Sequence, residues 1–298
     1  MLLKRKEEKM KMKLTELFST GKPVLSFEVF PPKTTDKMES VKKATEEIAA
    51  LHPAFMSVTY GAGGGTSAYT VAVAKNIQET HGVSSLAHLT CVSSTREQID
   101  HQLRLLSENG IENIMALRGD IPEGATAPEE WSFRHASELI AYIKTKGDFC
   151  IGGACYPEGH PESANQREDI ANLKKKVDAG CDFLTTQMFF DNNILYNFLY
   201  KIREAGIRVP VAAGIMPVTN GRQIARICRI SGNSLPPRFK QIIDRFADRP
   251  GAMKQAGVAF ATEQIIDLLA NGVEHVHVYS MNKPDVAAKI MDNLSKIL

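Results

Sequence analysis

The residue best placed to do chemistry is Glu28, which stands in the run Phe27-Glu28-Val29-Phe30 between apolar neighbours. Removing a carboxylate from water is costly, so such a setting raises the pKa and favours the neutral acid. A carboxylic acid that stays neutral near pH 7 is a candidate general acid. The competing reading is a structural carboxylate paired with a lysine or arginine. Asp120 follows an apolar run in Leu117-Arg118-Gly119-Asp120, where an ordinary turn aspartate is the simpler reading. Other polar side chains also close short apolar runs: Thr59 and Tyr60, His88 and Thr90, Tyr156 with Glu158 and His160, Gln187, and Tyr279 with Asn282. If those runs are parallel strands of one barrel, their polar ends meet at one mouth.

Three further motifs have bland readings beside functional ones. Gly61-Ala62-Gly63-Gly64-Gly65-Thr66 could cradle a phosphate on its amides or be a plain flexible turn; its glycine spacing is not that of a dinucleotide fingerprint. His275 and His277 share a strand face, and packed or hydrogen-bonded histidines are favoured over a metal pair because no third ligand stands near. Lys174, Lys175 and Lys176 read as the solvated face of a helix.

The elements that must position these groups follow from the pattern. Eight short, mostly apolar runs read as strands buried on both faces: 24–30, 55–59, 85–90, 113–117, 149–154, 183–186, 209–213 and 275–279. Amphipathic helical patterns over 38–51, 95–109, 136–145, 166–179, 192–205 and 221–230 lie between them. The alternation predicts an α/β fold, a (β/α)8 TIM-type barrel. The segment 230–259, with Pro236-Pro237 and Arg249-Pro250-Gly251, breaks the pattern and predicts extra helices before the last strand. Residues 1–13 read as a charged N-terminal tail and 14–298 as a single catalytic barrel.

Bulk properties exclude several classes. The 36 basic and 34 acidic side chains leave a formal net charge of +2, so no global field recruits nucleic acid or an anionic membrane. No apolar run approaches the roughly 20 residues of a membrane span. The tail lacks the apolar segment of a signal peptide. The five cysteines form no C-x-x-C pair, which fits a reducing cytoplasm and neither a disulfide framework nor a zinc site.

The motifs, taken in order, resemble those of methylenetetrahydrofolate reductases. They are Phe27-Glu-Val-Phe-Pro-Pro-Lys33, Val58-Thr-Tyr-Gly-Ala-Gly-Gly64, Ala87-His-Leu-Thr90, Leu117-Arg-Gly-Asp120, Tyr156-Pro-Glu-Gly-His-Pro-Glu162, Lys176-Val-Asp-Ala-Gly180, Thr186-Gln-Met-Phe-Phe-Asp191 and Gly214-Ile-Met-Pro217. The resemblance runs from about residue 14 to the last. It implies a non-covalent flavin, FAD, reduced by NADH or NADPH, which then reduces 5,10-methylenetetrahydrofolate to 5-methyltetrahydrofolate for methionine synthesis. It implies small-molecule partners and a homo-oligomer. By the same resemblance Glu28 is the acid that opens the folate imidazolidine ring, and Asp120 is a second catalytic group that tunes the flavin and favours the cationic folate intermediate. Thr59, His88, Arg118, Gly119, Asp120, Ala154, Tyr156, His160, Asp169, Asn172 and Lys176 are implied flavin contacts. Glu28, Asp120, Gln187 and Lys283 are implied folate contacts, and no metal is expected. Asp169, Asn172 and Lys176, spaced i, i+3 and i+7, share one helix face, which turns Lys176 toward the cofactor.

The sequence departs from some family members at three positions. Gly221 stands in place of an aromatic residue, Lys283 in place of an arginine and His135 in place of a tyrosine. No regulatory region is expected after the barrel, and with it no control by S-adenosylmethionine. Two alternatives compete. A cofactor-free lyase barrel needs a Schiff-base lysine at a strand end, whereas Lys33 and Lys283 lie beyond strand ends. A flavin- or pterin-binding subunit that only supports a partner has no use for a buried acid.

Overall fold

The computed structural model describes residues 12–32, 34–60, 67–92, 94–121 and 131–298. The glycine-rich motif 61–66, Lys33 and the first eleven residues of the tail lie outside the described residues. Eight strands, β1 (Val24–Val29), β2 (Phe55–Val58), β3 (Ser84–Thr90), β4 (Asn113–Leu117), β5 (Cys150–Cys155), β6 (Phe183–Thr186), β7 (Val211–Ile215) and β8 (His275–Tyr279), close a parallel barrel in chain order. This is the (β/α)8 barrel that the alternation implied. β7 starts two residues later than the apolar run because Pro210 has no N–H for the ladder; only its carbonyl takes part, accepting from Leu184 N at 2.9 Å.

The helices are α1 (Leu14–Phe18), α2 (Met38–Ala49), α3 (Ser67–His81), α4 (Arg96–Glu108), α5 (Ala136–Lys144), α6 (Gln166–Asp178), α7 (Asn192–Glu204), α8 (Gly221–Ser231), α9 (Pro237–Phe246), α10 (Pro250–Ala270) and α11 (Pro284–Leu294). Polar caps set their starts: Thr95 and Gln98 form a reciprocal capping box on α4, and the Asn165 and Asn220 side chains accept from the first turns of α6 and α8. Prolines open α9, α10 and α11, where a missing N–H costs no helical bond. α9 and α10 are the extra helices expected before the last strand. α3 is the helix expected after the glycine-rich motif, without bounds, whereas α1 and α11 were not read from the sequence. α1 is too short to show a period, and α3 mixes apolar and polar residues without a clear stripe.

The end of the barrel where the strands begin is closed by α1. Leu14 and Phe18 pack with Phe55, Leu86, Met115 and Phe183 in one buried cluster. The Phe18 ring meets Phe55 edge-on at 6.0 Å and Phe183 at 5.1 Å. Gly152 makes room for this packing, since a Cβ there would lie 2.4 Å from the Phe183 ring. Asn113 ties α1 down, its Oδ1 accepting from Leu14 N at 2.9 Å. Among the described residues no helix is long and apolar enough to cross a membrane.

Candidate functional site

At the opposite end, the last residues of the strands surround an open mouth. β1 brings up Glu28, which is buried and has no lysine or arginine partner among the described residues. Its Oε2 lies 3.5 Å from Ser57 Oγ, 3.5 Å from His88 Nε2 and 4.0 Å from His277 Nε2. Burial pushes the carboxyl up to about 8, against a smaller downward pull from the Ser57 hydroxyl. Both histidines are neutral near pH 7, since burial lowers His88 to about 4 and His277 to about 3. Of the two readings of Glu28 left open by its sequence, the structure therefore favours the neutral acid.

The loop after β8 fixes the backbone that carries this acid. Ser280 Oγ donates to the Glu28 carbonyl at 2.5 Å. Asn282 forms both bonds of a strand-like pair with Phe30, accepting from its N–H at 2.8 Å and donating to its carbonyl at 2.9 Å. Met281 and Asn282 reach these positions with φ of 53° and 52°. Asparagine tolerates that left-handed region; methionine is strained there.

At the same end of the barrel a cavity of about 560 Å³ opens over β4 and β5, and Glu28, Gln187 and Lys283 are not among its lining residues. Arg118, Gly119, Asp120, Ala154, Tyr156, His160, Asp169, Asn172 and Lys176 all line it. Thr59 and His88 are not among its lining residues. Thr59 pairs its amide with Val29 at 3.0 Å and its carbonyl with Thr70 Oγ1 at 2.9 Å, and His88 sits against Glu28. The Lys176 ammonium turns inward and donates to the Ala154 carbonyl at 2.8 Å, with its pKa lowered by desolvation. The solvated-face reading is thus overturned for Lys176 alone; Lys174 instead pairs with Asp178 on the surface. Asp169 is buried on the same helix, its carboxyl raised by burial and drawn back by Lys176. Asn172 accepts from Lys175 Nζ at 2.9 Å. Tyr156 meets His160 edge-on at 4.6 Å; burial lifts the phenol to about 12 and lowers the imidazole.

Glu162, which sequence reasoning assigned no role, reaches into the cavity and holds Arg118 through two parallel bonds of 2.5 and 2.7 Å. That pair raises the guanidinium and lowers the carboxylate. Asp120 stands exposed at the rim. Gln187 turns its amide oxygen to Met188 N at 2.9 Å. Lys283 is half-buried across the mouth, donating to Thr219 Oγ1, with its pKa lowered by desolvation. Gly214 admits Tyr279: a Cβ there would lie 2.5 Å from the phenol oxygen, which donates to the Thr186 carbonyl at 2.6 Å.

Gly221, the position that is aromatic in some family members, is buried at the start of α8. A Cβ there would lie 2.8 Å from the Ala247 Cβ, so the residue after α9 fills the space. His135 lines the cavity at the start of α5. His275 packs on Phe18 at 4.7 Å and His277 stacks on Phe55 at 5.5 Å, as packed histidines rather than as a pair of ligands.

The cavity is of small-molecule size and carries charge of both signs. Its volume falls within the roughly 300–1,000 Å³ of small-molecule sites, and its lining includes Arg118, Lys175 and Lys176 beside Asp120, Glu162, Glu168 and Asp169. A charged cavity and a neutral acid at the strand ends put the protein in the class of (β/α)8 barrels with an enzyme-type site at the C-terminal face. A family model described as methylenetetrahydrofolate reductase matches residues 13–295. The chain therefore belongs to the methylenetetrahydrofolate reductase family.

Relatives agree. The chain is 36% identical over 298 residues to methylenetetrahydrofolate reductase (NADH) 1 of Arabidopsis thaliana, aligning 96% of this chain with 50% of that one. It is 35% identical to 5,10-methylenetetrahydrofolate reductase of Escherichia coli over 274 residues, 92% of this chain and 91% of that one. The chain thus spans about half the length of the plant relatives and nearly all of the bacterial one. In fold it is similar to a Clostridium thermocellum protein described as binding two copies of 5-methyl-5,6,7,8-tetrahydrofolic acid, with a TM-score of 0.63 at 12% identity over 96% of this chain and 100% of that one.

Proposed function

We propose that this chain reduces 5,10-methylenetetrahydrofolate to 5-methyltetrahydrofolate, with NADH or NADPH as electron source and FAD held non-covalently in the cavity. The observation that carries the reading is Glu28, a buried carboxyl with no cationic partner among the described residues, at the same strand-end face of the barrel as a cavity lined by charges of both signs. The naming of the plant relatives for NADH favours NADH as donor. The cytoplasm is the proposed location, consistent with five cysteines that are all unpaired.

A bound flavin supplies two-electron chemistry between nicotinamide and folate. Arg118 and Lys176 hold its anionic part, with Asp169 and Asn172 on the same helix face as Lys176. Tyr156 and His160 pack along the cavity wall and exclude water. Glu28 gives its proton to the leaving nitrogen of the imidazolidine ring, and opening the ring makes the one-carbon unit a better hydride acceptor. Asp120 at the rim favours the cationic ring-opened folate. Gln187 orients the pterin, and Lys283 meets the glutamate tail as a point charge without the two-pronged geometry of arginine.

The test is an absorbance spectrum of the purified protein under anaerobic titration. A flavin band that NADH bleaches and methylenetetrahydrofolate restores is the expected result. A protein with no flavin band, even after reconstitution with FAD, would return the cofactor-free lyase reading to the front.

A further inference from the structure

Beneath Glu28 the barrel interior holds a file of polar side chains with no assigned part in binding. Ser57 Oγ, 3.5 Å from Glu28 Oε2, lies 2.9 Å from His277 Nε2. On the other side of the ring, His277 Nδ1 lies 2.7 Å from Ser26 Oγ, which lies 3.1 Å from the Val276 carbonyl oxygen. The register builds the file, since Ser57 stands opposite Glu28 across β1–β2, and His277 opposite Ser26 across β1–β8. Ser26, Ser57 and His277 are all buried. The titratable groups facing Glu28 are His88 from β3 and His277 and Tyr279 from β8. Both imidazoles are neutral, and Tyr279 keeps its proton, which it gives to the Thr186 carbonyl.

A neutral imidazole has one donor and one acceptor, and each serine has one proton to give. The file can therefore be filled without a clash in two ways. In the first, the Glu28 carboxylic acid donates to Ser57, Ser57 donates to His277 Nε2, the Nδ1–H donates to Ser26, and Ser26 donates to the Val276 carbonyl. In the second, Ser26 donates to Nδ1, the Nε2–H donates to Ser57, and Ser57 donates to the Glu28 carboxylate. The first needs neutral Glu28, and ionised Glu28 admits only the second; neutral Glu28 can enter the second as well if its proton sits away from Ser57, since a protonated carboxyl keeps an acceptor oxygen. Mixed arrangements set two protons or two lone pairs against each other in a buried site, where an unmade hydrogen bond is expensive.

We propose that Ser57 and His277 are positioning residues through which the ionisation of Glu28 sets the ring tautomer of His277: the carboxylate fixes the Nε2–H form, and neutral Glu28, donating to Ser57, is held as a donor by the Nδ1–H form. The catalytic meaning of this lock rests on the reading of Glu28 as the acid of the folate step; the lock itself does not.

The test uses the full-length protein labelled with ¹⁵N-histidine, with the His277 signals assigned by their loss in His277→Asn. Spectra are taken about two pH units below and above the Glu28 midpoint, where the group is about 99% in one form. The expected result is a protonated Nδ1 at the lower pH and a protonated Nε2 at the higher. In Glu28→Gln, which cannot ionise, the His277 tautomer should be the same at both pH values. One tautomer at both pH values in the parent protein, or a change that survives Glu28→Gln, would overturn the lock. As a functional readout, Ser57→Ala should move the midpoint of the pH profile for folate-driven flavin reoxidation by about half a unit or more. An unmoved midpoint denies Ser57 its positioning role. Folate reduction that persists in Glu28→Gln would refute the acid reading while leaving the tautomer result standing, so the two failures are distinguishable.

Discussion

The two ends of this barrel interior are made of opposite materials. Where the strands begin, Leu14, Phe18, Phe55, Leu86, Met115 and Phe183 fill the space, and the polar Asn113 serves to anchor α1. Where they finish, Glu28, His88 and His277 are buried near one another, with Arg118 and Lys176 along the neighbouring cavity. Water is largely excluded from both. At the closed end that exclusion stabilises the fold, because apolar surface is removed from solvent. At the open end it shifts protonation, holding a carboxyl neutral and two histidines uncharged. The same desolvation thus gives stability at one end and shifted protonation at the other.

The sharpest way to break this comparison is Glu28→Gln. Folate reduction should fall by about 10²–10⁴-fold, the usual weight of a general acid, while bleaching of the flavin by nicotinamide survives. Stopped-flow absorbance separates the two half-reactions, and equal loss of both would assign Glu28 to structure instead. The counterpart at the closed end is Phe18→Ala. It should cost about 3–5 kcal/mol of stability and leave the kcat of the remaining folded protein intact, as read by chemical denaturation and steady-state assay. A drop in kcat without loss of stability would show that the two ends are not separable.

The pH dependence of stability sharpens the contrast. A folded-state pKa near 8 means that the stability contributed by neutral Glu28 is complete below the ordinary carboxylate range and is lost as pH rises toward about 8. The depressed His88 and His277 act in the opposite sense, their contribution being lost as pH falls below the usual histidine value. Thermal midpoints of Glu28→Gln and the parent should therefore lie close together at acid pH, with the variant gaining progressively as pH rises above the ordinary carboxylate range and the gap complete by about 8. A constant offset across that window would argue that Glu28 is not desolvated.

A smaller effect is expected from Asn282→Gly, which keeps the left-handed backbone but removes both bonds to Phe30. Loosening the strand end that carries Glu28 should slow folate reduction by about tenfold and leave nicotinamide oxidation unchanged. Equal rates for parent and variant would show that β1 holds its geometry unaided. The smallest effect is expected from Asp148→Asn at the closed end. Asp148 pairs with Lys13 at 2.5 Å, yet its side chain is 94% exposed, so the thermal midpoint should not move.

Much of this architecture was legible in the chain because it depends on local pattern. Short apolar runs bounded by turn residues gave eight strands, and the prolines after residue 230 marked the inserted helices. The signal that singled out Glu28, a polar residue within an apolar strand, was equally present at Ser26 and Ser57 and was not used there. α1 left no periodic trace, and its role became visible only through its packing against Phe55 and Phe183. Glu162 lay within a quoted motif, but nothing in its neighbourhood indicated that it would meet Arg118, 44 residues away.

By itself the sequence determined the class of fold, the end of the barrel at which the polar strand ends would gather, and the one carboxyl set among apolar strand neighbours. Those follow from hydrophobic spacing and from the cost of burying a charge, which are properties of neighbouring residues. Only the tertiary structure decided that Glu28 has no cationic partner among the described residues, that Lys176 turns inward, that Gly221 faces Ala247, and that Ser57 and His277 stand beneath the acid. Those depend on which strands become neighbours when the barrel closes. His277 reaches Ser57 across 220 positions and Asn282 reaches Phe30 across 252, separations over which no local pattern carries information.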